Sequence, residues 1–284
     1  MPSPPSSAAQ FVWTLEPVLV AAATVAMLLF LRGFARLRSR GRSDLAPWSR
    51  LVLFAAGLAA AVLPLVSPLD PLADRYLLSA HMFEHVLVGD VAPALLLLAL
   101  RGPLLYFCLP ASVLVPLASL GPLRRALSFL LRPGVSLAVW AAVIAVWHLP
   151  RAYDYTLTHQ TVHDLEHVCF FAAGLLVWAQ LIDPARRRRL SRGERLGFAV
   201  LLFGMGTVLS DLLIFSFHPL YPAYAAQPDR LLGLSPVRDQ QLAGLVMMSE
   251  QALSLGTCVL VLLLPMLRHG AGQRRFPVTR ERPA

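Results

Sequence analysis

The sequence predicts an all-α fold, a polytopic membrane helix bundle of about seven transmembrane helices with the N-terminus outside and the C-terminus cytoplasmic. Three observations predict it. First, the chain is 57% hydrophobic and only 14% charged over 284 residues, far too apolar for a soluble domain of that size. Second, the apolar residues fall in runs long enough to cross a bilayer as helix: 14–31, 51–67, 77–100, 134–149, 161–182, 197–216 and 241–267. Third, every basic side chain is Arg. The segments 32–50, 101–133, 183–196 and 268–284 carry 21 of the 25. Alternate loops are therefore basic, the signature of cytoplasmic connections. The net charge of +9 is accounted for by topology and by contact with anionic lipid, and it predicts no nucleic-acid partner.

Taken in order, residues 1–13 are rich in Pro and Ser and predict a disordered outer N-terminal segment. The membrane domain spans 14–267, and 268–284 form a basic cytoplasmic tail. The N-terminus lacks the basic stretch of a cleaved signal peptide, so the first span is expected to be retained. It ends at Arg32, and Pro47-Trp48 open the second. The connection 68–76, with Pro68, Asp70, Pro71 and Asp74, reads as a short outer turn. The third span ends at Arg101-Gly102-Pro103. The apolar stretch 104–120 is broken by Pro103, Pro110 and Pro116 and reads as interfacial or re-entrant. The fourth span ends outside at Trp147-His148-Leu149-Pro150, and the fifth ends at Asp183-Pro184 before the run Arg186 to Arg189. The sixth ends at Phe215, followed by His218-Pro219-Leu220-Tyr221-Pro222. The seventh carries Gly244, Met247, Met248 and Gln251 on one stripe.

The chemistry concentrates in two copies of one pattern. His81-Met82-Phe83-Glu84-His85 and His163-Asp164-Leu165-Glu166-His167 both read H-x-x-E-H. On a helix, imidazoles four apart share a face. Ionisable groups inside apolar runs are costly and mark function. The topology assigned from Arg puts seven of eight histidines in the outer third or outer loops: His81, His85, His148, His159, His163, His167 and His218, against His269 inside. Spans three and five run in the same direction, so the two pairs should face each other at one depth. Imidazole is the commonest metal ligand. Met82, Met247 and Met248 add thioether sulfur suited to Cu(I). The candidate metal residues are His81, Met82, His85, His163, His167, Met247 and Met248, with His148, Glu84, Glu166 and Asp239 as possible additions. Asp90 is about 140° from the His81/His85 face and should bond a neighbouring helix or carry protons.

Other chemistries are excluded or weakly supported. With no Lys, there is no phosphate-loop lysine, Schiff-base lysine or Ser-Lys dyad. Cys108, Cys169 and Cys258 are isolated, so neither a disulfide framework nor a redox pair is indicated. No nucleophile–base pattern is present, and the chain does not read as an enzyme. Three readings compete: copper binding and delivery in the membrane, a b-type haem protein with axial His from two helices, and an intramembrane zinc peptidase with Glu as base.

Over roughly 50–267 the chain resembles the CtaG/Caa3 family of cytochrome c oxidase assembly factors. The resemblance is carried by Ser79-Ala80-His81-Met82-x-x-His85 with Ala92-Pro93; Trp147-His148-Leu149-Pro150 with Tyr153-Asp154; His163-x-x-Glu166-His167; Phe215 with Pro219-Leu220-Tyr221-Pro222-Tyr224; and Leu234-Ser235-Pro236-x-x-Asp239-Gln240-Gln241-Leu242-Ala243-Gly244. Two positions depart: Glu84, where Gln is expected, and Ala94, where a second Pro is usual. The resemblance implies an integral membrane assembly factor in the bacterial inner membrane. Such a factor is expected to help insert copper into haem-copper oxidase, with an oxidase subunit and membrane lipid as partners; a homo-oligomer is left open.

Overall fold

The computed structural model describes residues 13, 14, 16–228 and 231–273, with side chains placed for all of these but 269–273. Among the described residues the chain is all-helical, without strands. In order, the helices are α1 (Pro17–Ser39), α2 (Trp48–Val66), α3 (Leu69–Arg75), α4 (Leu78–Val86) and α5 (Ala92–Ala99). The short α6 (Leu104–Phe107) precedes α7 (Ala111–Ser119), α8 (Gly121–Leu130), α9 (Pro133–Trp147) and α10 (Pro150–Thr156). The last four are α11 (Gln160–Ile182), α12 (Arg192–Phe215), α13 (Pro222–Ala225) and α14 (Pro236–Gln273). Among the described residues, six helical stretches are long and apolar enough to cross a membrane, or up to eight if each of two bent pairs is counted as a span.

The seven expected spans map onto these with informative differences. The fourth is the weak one. α9 has 15 residues, about 22 Å at 1.5 Å per residue, short of a hydrocarbon core of about 30 Å. Leu149-Pro150 breaks it from α10 at a bend of 76°. The stretch expected to be interfacial or re-entrant is broken too. α7 and α8 meet at 80°, and neither has a buried residue. α1 outruns its apolar stretch by two turns, because Phe34 and Leu37 stay buried. The guanidinium of Arg38 lies 4.8 Å from the Trp48 ring, and that of Arg36 lies 5.7 Å from Phe107. Arg32, Arg36 and Arg38 therefore sit on helix, not in the expected loop. α14 starts earlier and ends later than the expected 241–267, reaching Gln273 inside the expected tail. The rest of the expected terminal segments lies outside the described residues, Trp13 apart.

The exterior is that of a lipid-solvated protein. Val18, Val52, Leu63, Val208, Leu253 and Val261 all stand exposed on long helices, where an aqueous surface would carry polar groups. α12 packs along α14, α2 along α5, α4 along α14, and α11 against α9 and α5. The basic connections meet at one end of the bundle. Arg50 donates to the Arg101 carbonyl, Gly102 N donates to Pro184 O at 2.7 Å, and Arg189 reaches Leu131 O at 2.6 Å. Both H-x-x-E-H turns lie at the other.

One local irregularity brings the two turns together. Between α4 and α5 the chain makes a π-turn, Leu87–Val91, with Ala92 N–H bonded to Leu87 O. Pro93 follows and has no N–H, so the carbonyl of Gly89, four residues back, loses its helical partner. That carbonyl faces α11 at Gly174, where a Cβ would stand 1.9 Å from Gly89 O. Only Gly permits this approach. Small residues are what let membrane helices pack backbone to backbone, and here they draw α11 against the helix that carries His81 and His85.

Candidate metal centre

Both H-x-x-E-H turns sit within the first turns of their helices, α4 and α11. Leu77 and His159 precede them in extended conformation, without side-chain caps of their own. α4 is capped from far away in sequence. Asp239 accepts hydrogen bonds from Leu78 N (2.7 Å), Ser79 N (3.1 Å) and Ser79 Oγ (2.5 Å). A carboxylate at a helix N-terminus satisfies orphan N–H groups and complements the helix dipole. Asp239 is thus placed as a positioning residue, with both oxygens engaged at the end of α4, rather than in the imidazole cluster. Next to it, Gln240 accepts from Leu220 N at 2.7 Å and donates to Leu213 O and His218 O. The Asp-Gln pair that opens α14 clamps both α4 and the corner after α12.

The four motif histidines and two motif glutamates are all buried, the glutamates completely. Their arrangement has an approximate two-fold pattern. Within a motif, ring centroids are 4.3 Å apart for His81–His85 and 4.4 Å for His163–His167. Across motifs, they are 5.3 Å apart for His81–His163 and 5.2 Å for His85–His167. Each glutamate turns to the second histidine of the other motif. Glu84 Oε1 lies 3.1 Å from His167 Nε2, and Glu166 Oε1 lies 3.9 Å from His85 Nε2. His81 Nε2 and His85 Nε2 lie 2.8 Å apart, within hydrogen-bond distance. His167 is thus the group that the Glu84 carboxyl faces.

These contacts leave much unsatisfied. Both oxygens of Glu84, both of Glu166, and Nε2 of His163 and of His167 are buried with no hydrogen-bond partner in good geometry. Uncompensated buried polar atoms each cost on the order of 1–3 kcal/mol, more if charged. The same atoms make two overlapping groups whose potential ligand atoms lie within 4.8 Å of one another: His81, His85, His163 and Glu166; and Glu84, His163 and His167. Imidazole and carboxylate together form a donor set for a borderline first-row cation.

The remaining candidates divide. Met82 is buried and packs in an apolar cluster with Met247, Tyr153 and Tyr224. Met82, Met247, His85 and His148 also line a cavity of about 80 Å³ that reaches Asp90 and Glu250. His148 turns Nδ1 to its own helix at Ile144 O (2.9 Å), and its buried Nε2 is without a partner. Met248 is half-buried and does not line that cavity. Asp90 bonds across helices, as expected, accepting from Trp178 Nε1 and from Ser254 Oγ at 2.8 Å. His159 stacks on Tyr155, and His218 is exposed at a corner. Neither joins the cluster. The side chain of His269 lies outside the described residues.

The structure brings to the site an acidic mouth and a set of tyrosines that the sequence pattern did not place there. Asp74 Oδ1 lies 3.5 Å from both His81 Nδ1 and His163 Nε2, bridging the first histidines of the two motifs. Burial pushes its carboxyl up to about 8, and the neighbouring Asp70 and Glu84 act in the same direction. Burial likewise raises Asp70 to about 7. The mouth of the site therefore holds carboxyls whose charge is suppressed by burial and by one another. Tyr224 donates to Ala73 O at 2.7 Å and lies 3.3 Å from His81 Nδ1; Tyr153 packs its ring 5.1 Å from that of His81. Tyr221 donates to His148 O at 3.1 Å. The one available signal was that these tyrosines stand in the motif segments Pro219–Tyr224 and Tyr153-Asp154.

Comparisons with known proteins place the chain in a family. A family model described as cytochrome c oxidase caa3 assembly factor matches residues 28–269. Two curated relatives, uncharacterised proteins of Mycobacterium bovis and Mycobacterium tuberculosis, are each 29% identical over 220 residues, covering 72% of this chain. The chain spans about a third of the length of those relatives, 32%. No solved structure matches. The family match takes in both H-x-x-E-H turns, the Asp239 cap and the tyrosines over the cluster, and the chain belongs to the cytochrome c oxidase caa3 assembly factor family.

Proposed function

We propose that this assembly factor binds copper at the paired H-x-x-E-H turns and hands it to a subunit of the oxidase, as cargo and without catalytic turnover. The observation that carries the reading is the set of buried, unpartnered donor atoms on Glu84, Glu166, His163 and His167. A cation among them would offset a desolvation cost that the protein's own side chains leave uncompensated. The thioethers of Met82 and Met247 beside His85 and His148 favour Cu(I) as the delivered form. The site belongs at the outer face of the bacterial inner membrane, because the basic connections gather at the other end. Tyr224, Tyr153 and Asp74 orient the imidazoles, the work that residues around a metal site commonly do.

The test is made in cells. His85→Ala and His167→Ala should lower oxidase activity while the variant protein stays in the membrane at near-normal level. Loss of supporting contacts alone can weaken metal binding 10–100-fold, and loss of a ligand should cost at least as much. Excess copper should restore part of the activity, since mass action refills a weakened site. Two abundant variants with undiminished oxidase activity in copper-limited medium would sink the proposal. For the purified protein, a Soret band would point instead to haem, and bound zinc with peptide cleavage to a peptidase.

A further inference from the structure

The geometry points to two ion positions in this site rather than one, each built from the two histidines of one motif and the glutamate of the other. The inference rests on the metal reading above and goes beyond it in stoichiometry and ligand assignment. The first set is His81 and His85 from α4 with Glu166 from α11. Its edges are 2.8 Å between the two Nε2 atoms and 3.9 Å from His85 Nε2 to Glu166 Oε1. The second is His163 and His167 from α11 with Glu84 from α4, with Glu84 Oε1 3.1 Å from His167 Nε2. Ligand bonds of about 2.0–2.1 Å in near-tetrahedral geometry put neighbouring donor atoms roughly 3.3 Å apart. The observed edges bracket that value, so small side-chain movements close either set around an ion.

Three features favour two sets over one. The cluster holds four imidazoles and two carboxylates, more than a labile single-ion site uses. The glutamates are exchanged: each lies beside the far motif's second histidine, not its own. The two halves also match within 0.1 Å in their internal His–His spacing, at 4.3 and 4.4 Å, and their cross spacings, 5.3 and 5.2 Å, put the sets side by side. His163 comes within reach of both sets and completes the second as the helix partner of His167. Two nitrogens and one oxygen leave open coordination positions, which a cargo ion needs in order to leave. Such a set also takes divalent first-row ions, Cu(II) most tightly in their affinity order, so Cu(II) serves as a paramagnetic probe of positions that carry Cu(I) as cargo.

Full-length protein purified in detergent, stripped with chelator and titrated with Cu(II), should saturate at two ions per chain. Its electron paramagnetic resonance spectrum should be broadened by coupling between neighbouring Cu(II) ions. Glu166→Gln and Glu84→Gln should each leave one tightly held ion with the resolved spectrum of an isolated centre. Saturation of the parent protein at one ion, or loss of all tight binding in either single variant, overturns the two-set assignment and leaves the copper reading standing. Absence of binding in the parent protein overturns both. Stoichiometry and coupling in the unsubstituted protein decide the matter even if a variant fails to fold.

Discussion

Gly174→Ala isolates the feature that holds the two motifs together. The added methyl would stand 1.9 Å from the Gly89 carbonyl oxygen and 2.9 Å from Pro93 Cγ. Restoring even a 3.0 Å contact to that oxygen requires a displacement of about 1.1 Å, and the atom to be moved is backbone, held in the π-turn. Overpacking of this kind costs about 1–3 kcal/mol, a five- to 150-fold shift in the folding equilibrium. The effect should also reach the site. His167 lies seven residues, or about 10 Å, up α11 from Gly174, and metal–ligand distances tolerate only about ±0.2 Å. A helix displaced by 1 Å separates Glu84 from His167 and Glu166 from His85. The assay is paired: thermal unfolding in detergent, and a copper titration on the same sample. The expected outcome is a lower unfolding temperature and at least tenfold weaker copper binding. Gly204→Ala is the control. Nothing lies within 4 Å of its Cβ position, so the substitution should be neutral or gain up to about 1 kcal/mol in helix propensity. If Gly174→Ala unfolds and binds copper like the parent, the close approach of α11 to the π-turn does not position the site. If stability falls but affinity is unchanged, the displacement is absorbed before it reaches the histidines, and that step of the reasoning fails.

Asp239→Ala removes the acceptor of three hydrogen bonds at the start of α4 and should destabilise the protein by about 2 kcal/mol, measured as a lower unfolding temperature; an unchanged temperature would show that the cap is dispensable. A reporter fused within 183–196 should read cytoplasmic, and an external reading would reverse the orientation and remove the outer-face assignment of the site.

The sequence by itself determined that the chain is a helical membrane protein, where its long helices lie, and that its histidines concentrate at one end. It could do so because apolar run length and Arg placement are one-dimensional consequences of crossing a bilayer. At α9 and at 104–120, local prolines compete with the apolar pattern, and the chain bends instead of spanning straight. The face-to-face placement of His81/His85 and His163/His167 was also legible, because helices entering from the same side at the same depth must present equivalent turns at one level. The tertiary structure alone decided which atom meets which. That Glu84 turns to His167 and Glu166 to His85 depends on the rotation of α11 about its axis, which Gly174 against Gly89 fixes and no periodicity reports. Asp74 enters the site from a connection that read only as a turn, and Asp239 stands apart from the imidazole cluster because its oxygens are engaged 160 residues away in sequence, at the start of α4. Both are contacts between segments distant in the chain, set by packing rather than by any local preference of the residues that make them.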